Sequence, residues 1–120
     1  MEAAIRQTPL LPDRPRPIIA IGAGGIVRDA HQPAYQKAEF PVYGIFDQNP
    51  DASRQLADTF QIPRVFTSLA EATEQAPAEA VYDIAVPASA LPELIPQLPD
   101  GVHALIQKPL GESFADAVML

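Results

Sequence analysis

Apolar and polar positions follow two periods in turn along the chain, and that turn-taking predicts strands interleaved with helices. Ile18 to Ile21 is a short, largely β-branched apolar run ending at Gly22, the pattern of a strand buried on both faces. A helical pattern follows from Gly24 or Gly25. Pro33 lacks a backbone donor and disfavours helix at Gln32, so a break near His31 is expected, with a restart that has Pro33 in its first turn. Pro41 to Phe46 (PVYGIF) reads as a second strand closed by Asp47. Asn49 then stands as a cap, Pro50 as the first helical residue, and Leu56, Ala57 and Phe60 as an apolar helix face.

Further on, Arg64 to Phe66 suits a short third strand, and Ser68 with Glu71 forms a capping box. Ala80 to Val86 is a fourth strand ended by Pro87. Ala90 to Leu98 carries a leucine-rich helical pattern with Pro92 and Pro96 near its two ends. His103 to Ile106 is a fifth strand, and Ser113 to Leu120 begins another helix. Strands and helices in this alternation predict right-handed crossovers and an α/β fold. A doubly wound parallel sheet, a Rossmann fold of strand order 3-2-1-4-5 in three α/β/α layers, follows from them. Residues 1–17 hold four prolines and no sustained period, and read as an extended arm before a single domain over 18–120.

Composition narrows the chemistry. With 120 residues, 48% hydrophobic and 19% charged, the chain suits one packed domain. A formal net charge of −7 without a basic stripe argues against nucleic acid. The absence of cysteine excludes disulfides and thiolate chemistry within these residues. No apolar run has membrane-spanning length and the N-terminus lacks the order of a secretory signal, so a cytoplasmic protein without membrane partners is the expectation.

Gly22-Ala23-Gly24-Gly25 lies between a buried strand and a helix, the context that a dinucleotide turn requires. Gly22 would permit the sharp bend, and Gly24 a close backbone approach to a pyrophosphate. The helix N-terminus would add free N–H groups and a positive dipole end. The fingerprint G-x-G-x-x-G would place a third glycine at Val27, where its usual task is close helix–strand packing. Val27 therefore predicts a slightly displaced helix and a retained phosphate site. Asp47 ends the second strand 25 residues after Gly22, near where a carboxylate meets the ribose 2′-hydroxyl. Such a carboxylate favours NAD and repels the 2′-phosphate of NADP. A plain strand-to-helix turn, with Asp47 as a turn residue before Asn49-Pro50, is the alternative that each motif alone leaves open.

Together with Gln107-Lys108-Pro109, this assembly resembles the N-terminal domain of the Gfo/Idh/MocA oxidoreductases, from about Ile18 onward. That resemblance implies a nicotinamide cofactor and a sugar, polyol or related alcohol as substrate. Gly22, Ala23, Gly24, Gly25, Ile26, Asp47, Pro87, Ser89, Gln107 and Lys108 become the expected cofactor-binding residues. The family's Glu-Lys-Pro motif falls on Gln107, Lys108 and Pro109, which makes Lys108 the expected catalytic residue, able to polarise a carbonyl or steady an alkoxide. Gln107 replaces the glutamate and removes a negative neighbour. The family's Thr-Pro-Asn loop falls on Val86-Pro87-Ala88, where only Pro87 matches, and Leu91 stands where a histidine is common. Pro87 and Ser89 would line the nicotinamide ribose.

The family also carries a second domain, with the substrate pocket, that these 120 residues do not hold. The expectation is therefore cofactor binding without a competent active site, and self-association through the surface left uncovered. His31 reads as structural, His103 as the start of a buried strand, and Asp83 as a strand-end or surface-facing carboxylate. No metal site is indicated. Two other readings stay open: a non-catalytic nucleotide-sensing or interaction module, and an S-adenosylmethionine-dependent methyltransferase, against which Lys108-Pro109 speaks.

Overall fold

Residues 14–106 are described by the computed structural model, and at their centre lies a four-stranded parallel sheet in the order β2-β1-β3-β4. The strands are β1 (Ile18–Ile21), β2 (Val42–Phe46), β3 (Val81–Ile84) and β4 (His103–Ile106). β1 pairs with β2 and β3, and β3 with β4, all in parallel. One register irregularity falls between Ile18 and Ile19, whose partners are Val42 and Gly44. The expected strand at 64–66 shrinks to a single parallel bridge between Ile45 and Val65, held by Ile45 N–H donating to Arg64 and Phe66 N–H donating to Ile45. It occupies the outer place beside β2 that the order 3-2-1-4-5 assigns to it. Three residues next to Pro63 cannot sustain a longer ladder.

Helices cover both faces. Ile19 and Ile21 point to one side, where they pack with Tyr82, Ile84, Phe66, Ala72, Leu91 and Leu94. That side is covered by α3 (Leu69–Gln75) and α4 (Leu91–Leu94). Ala20 and Ile45 face the other side with Val27, Leu56, Ala57 and Ile62, under α1 (Gln32–Ala38) and α2 (Pro50–Phe60). A period of two along each strand thus divides one apolar run between two cores, which is why β1 is buried throughout.

The caps are local and match the sequence. Asn49 accepts from Asp51 N–H with Pro50 in the first turn of α2. Ser68 accepts from Glu71 N–H, which satisfies one orphan donor of α3, while the Glu71 carboxylate accepts from Thr67 N–H, one residue ahead of the cap.

Two expectations are corrected. The chain does not break near His31. A helical run over 25–38 continues through a π-helical turn, Val27–His31, in which Gln32 N–H donates to Val27. The wider turn gives the Pro33 ring room where an α-helix would press it against the preceding turn. The segment 88–97 is also not one helix. Pro92 and Pro96 each restart the spiral, leaving a 3₁₀ turn at Ala88–Ala90, the short α4, and a second 3₁₀ turn at Ile95–Gln97.

A candidate dinucleotide site at the carboxyl end of the sheet

Three strand ends converge at Gly22. Its N–H donates to Phe46 at the end of β2 (2.7 Å), and Ala85 N–H donates to Ile21 (2.9 Å). Gly22 has φ +112°, and a Cβ there would collide with the carbonyl of Ala85. Only glycine meets both conditions, so the chain can leave β1 and turn sharply against β3. The next residues open outward. Nothing lies within 4 Å of where a Gly24 Cβ would be. Gly24, Gly25 and Ile26 are all exposed, and among the described residues Ile26 is one of few large apolar side chains to be so. The first helical bond runs from Arg28 N–H to Gly24 (3.0 Å), which leaves the N–H groups ahead of it directed out of the helix end. A buried bend followed by bare backbone suits an anion held by N–H groups.

Asp47 is placed against this turn. Its Oδ1 accepts from Ala23 N–H (2.8 Å) and its Oδ2 from Asn49 N–H (2.8 Å). The carboxylate thus does the work of a turn residue and also locks the end of β2 to the glycine turn. Each oxygen has a second lone pair, so the half-buried group retains capacity to accept from a ligand hydroxyl. Pro87 and Ser89 are exposed beyond the end of β3, and the side chain of Val86, just past that strand, lies beside Gly22. Gln107 and Lys108 fall outside the described residues, as do Pro109 and the helix expected over 113–120. Val27, in the third-glycine position, is buried in the core under α2.

A second polar cluster, which the sequence pattern does not predict, joins Asp83, His31 and Tyr35. Asp83 lies inside its strand, as the sequence places it, but it does not face the surface: it is 3% exposed and faces the helix that follows the glycine turn. Its Oδ2 accepts from the Tyr35 hydroxyl (2.6 Å) and from His31 Nδ1 (2.9 Å), which must carry the proton to donate. Burial, with the Asp83 carboxylate adding to it, pushes the Tyr35 hydroxyl well above its ordinary range. The three residues line a cavity of about 290 Å³ with Leu105 and Ile106. His31 and Tyr35 lie 52 and 48 residues from Asp83. The available sequence signal was the four-residue spacing of two polar aromatic residues on a helix, together with a carboxylate inside an otherwise apolar strand. His103 is corrected too. It is exposed, as are Ala104 and Leu105, because β4 is the outer strand of the described sheet.

Among the described residues no helix is long and apolar enough to cross a membrane, and no group of three His, Cys, Asp or Glu could hold a metal ion.

The family model described as "Oxidoreductase family, NAD-binding Rossmann fold" (GFO_IDH_MocA) matches residues 17–120. No curated protein matches the chain. Among solved structures, an oxidoreductase from Thermotoga maritima superposes with a TM-score of 0.81 at 21% identity, over 88% of this chain and 33% of its own. UDP-N-acetylglucosamine 3-dehydrogenase from Acidithiobacillus ferrooxidans gives 0.73 at 24%, over 88% and 33%. The WlbA dehydrogenase from Bordetella pertussis, in complex with NADH and UDP-GlcNAcA, gives 0.71 at 25%, over 86% and 32%. The chain therefore spans about a third of the length of these proteins.

Proposed function

The chain belongs to the Gfo/Idh/MocA oxidoreductases as their NAD-binding Rossmann domain, and on that premise we propose that it holds NAD in preference to NADP. The observation that carries this reading is Asp47 bound to the Ala23 amide of the glycine turn. The pyrophosphate would lie over Gly24, Gly25 and Ile26, with Gly22 and Ala23 setting the bend. The ribose beside them would donate to Asp47, and a 2′-phosphate there would meet a fixed negative charge. Pro87 and Ser89 would flank the nicotinamide side. The bare Gly24 backbone supports the fit, because a side chain would fill the space a phosphate needs.

For the whole reaction we infer the oxidation or reduction of a hydroxyl-bearing carbon on a sugar or polyol. The names of two structural neighbours, a UDP-N-acetylglucosamine 3-dehydrogenase and a WlbA dehydrogenase in complex with NADH and UDP-GlcNAcA, suggest that class. The nicotinamide, when bound, supplies the hydride acceptor or donor. Lys108 would hold the substrate oxygen and stabilise negative charge on it, with Gln107 beside it as a neutral hydrogen-bonding neighbour. The single domain over 18–120, preceded by an arm at 1–17, would supply the cofactor half of that chemistry.

Asp47→Ala tests the cofactor preference. Losing the carboxylate loosens the turn for both dinucleotides, so the expected result lies in the ratio: the preference for NAD over NADP falls about tenfold. Calorimetric titration of both variants with both dinucleotides reads the ratio directly. An unchanged ratio would remove Asp47 from specificity.

A further inference from the structure

Arg28 is a cation that neither the glycine turn nor the core accounts for. It lies in the first turn after Gly24, to whose carbonyl its own N–H donates. Its guanidinium pairs with the neighbouring Asp29: Nε donates to Oδ1 (2.9 Å) and the terminal nitrogen to Oδ2 (3.2 Å). Both side chains are about two-thirds exposed, so this pair is worth little as a fold-stabilising contact. The same terminal nitrogen lies 3.8 Å from where a Gly25 Cβ would stand. Side chains on a helix lean toward its N-terminus, and Gly25 leaves that direction clear. The guanidinium therefore lies along the turn on which the pyrophosphate would sit.

Charge makes this placement consequential. The chain carries a net −7, and both Asp29 and Asp47 stand near the turn. A pyrophosphate bears two negative charges and meets like charge there unless a cation intervenes. Arg28 is the one Lys or Arg in the segment from Gly22 to His31. Its pairing leaves guanidinium donors over, since five N–H groups are available and Asp29 takes two.

We propose that Arg28 is a pyrophosphate-binding residue that bridges Asp29 and the cofactor's phosphates, so that Asp29 positions a cation rather than repelling the ligand. This inference rests on the NAD reading above. It assigns the site a side-chain cation in addition to the backbone donors.

The test is titration of the 120-residue chain and its Arg28→Gln, Arg28→Lys and Asp29→Asn variants with NAD and with adenosine, at low and at moderate salt. Arg28→Gln is expected to weaken NAD about tenfold and to flatten the salt dependence of its affinity, leaving adenosine binding unchanged. Arg28→Lys, which keeps the charge without the fork, is expected to fall between. Asp29→Asn, which loosens the guanidinium, is expected to weaken NAD by less than Arg28→Gln does. Wild-type NAD affinity and salt dependence in Arg28→Gln would overturn the assignment while leaving the NAD reading intact. Failure of the wild-type chain to bind NAD at all would overturn both.

Discussion

Gly22→Ala is expected to cost roughly 3 kcal/mol of stability and to abolish dinucleotide binding, because two independent penalties act at one atom. An L-residue is strained at φ +112°, and its Cβ would meet the Ala85 carbonyl, a backbone group that β1–β3 pairing holds in place. Relief requires β1 and β3 to move apart. That movement would also shift the Gly22 and Ala85 amides that close the ends of the strands. Urea denaturation followed by circular dichroism checks the stability. Gly24→Ala is the control, since an added methyl there meets nothing, and it is expected to fold normally and lose ligand affinity alone. Equal stability of Gly22→Ala and the wild type would contradict the geometry of the turn.

The second large effect is expected at Asp83. Asp83→Leu leaves a half-buried tyrosine hydroxyl and the His31 Nδ1 proton without an acceptor, at a cost of about 2–3 kcal/mol. Asp83→Asn keeps one acceptor oxygen and is expected to lose about half as much. The pH dependence follows from Tyr35. Its folded pKa is raised, so the folded state holds the proton more tightly than the unfolded one. The corresponding stability is complete below the ordinary tyrosine range and declines as pH climbs above about 10. Tyr82 is shifted the same way by burial and adds to the decline. Tyr35→Phe should therefore shrink the alkaline loss of stability in thermal melts between pH 8 and 11, without removing it. A Tyr35→Phe protein that loses stability as steeply as the wild type would separate Tyr35 from Asp83.

Features written within a few residues of one another could be read from the sequence. The β-branched run before Gly22, the Asn49-Pro50 start and the Ser68/Glu71 box each depend on local backbone physics, and each has the structure it predicts. The strand order also follows, because handed crossovers admit few arrangements. What escaped depends on which face a residue takes and on what lies opposite. Whether Asp83 faces α1 or solvent is set by its register in β3, and its partners lie about 50 residues away. The π turn reconciles the buried positions Val27 and Gln32 with Pro33, a compromise that a 3.6-residue period does not express. His103 and Leu105 carry a buried-strand pattern that their outer place in the described sheet does not fulfil.

The glycine-rich segment does bend the chain from β1 into a helix, and Asp47 contacts it through the Ala23 amide, which no spacing rule identifies. The central claim is that this turn, from Gly22 to Ile26 with Asp47 beside it, is where the dinucleotide sits. The most direct measurement is backbone amide NMR of the isotopically labelled chain during titration with NAD, with S-adenosylmethionine in parallel. Shifts concentrated at Ala23, Gly24, Gly25, Ile26 and Asn49 on adding NAD are the predicted result. Unmoved amides at that turn, or movement there with S-adenosylmethionine and not with NAD, would contradict it.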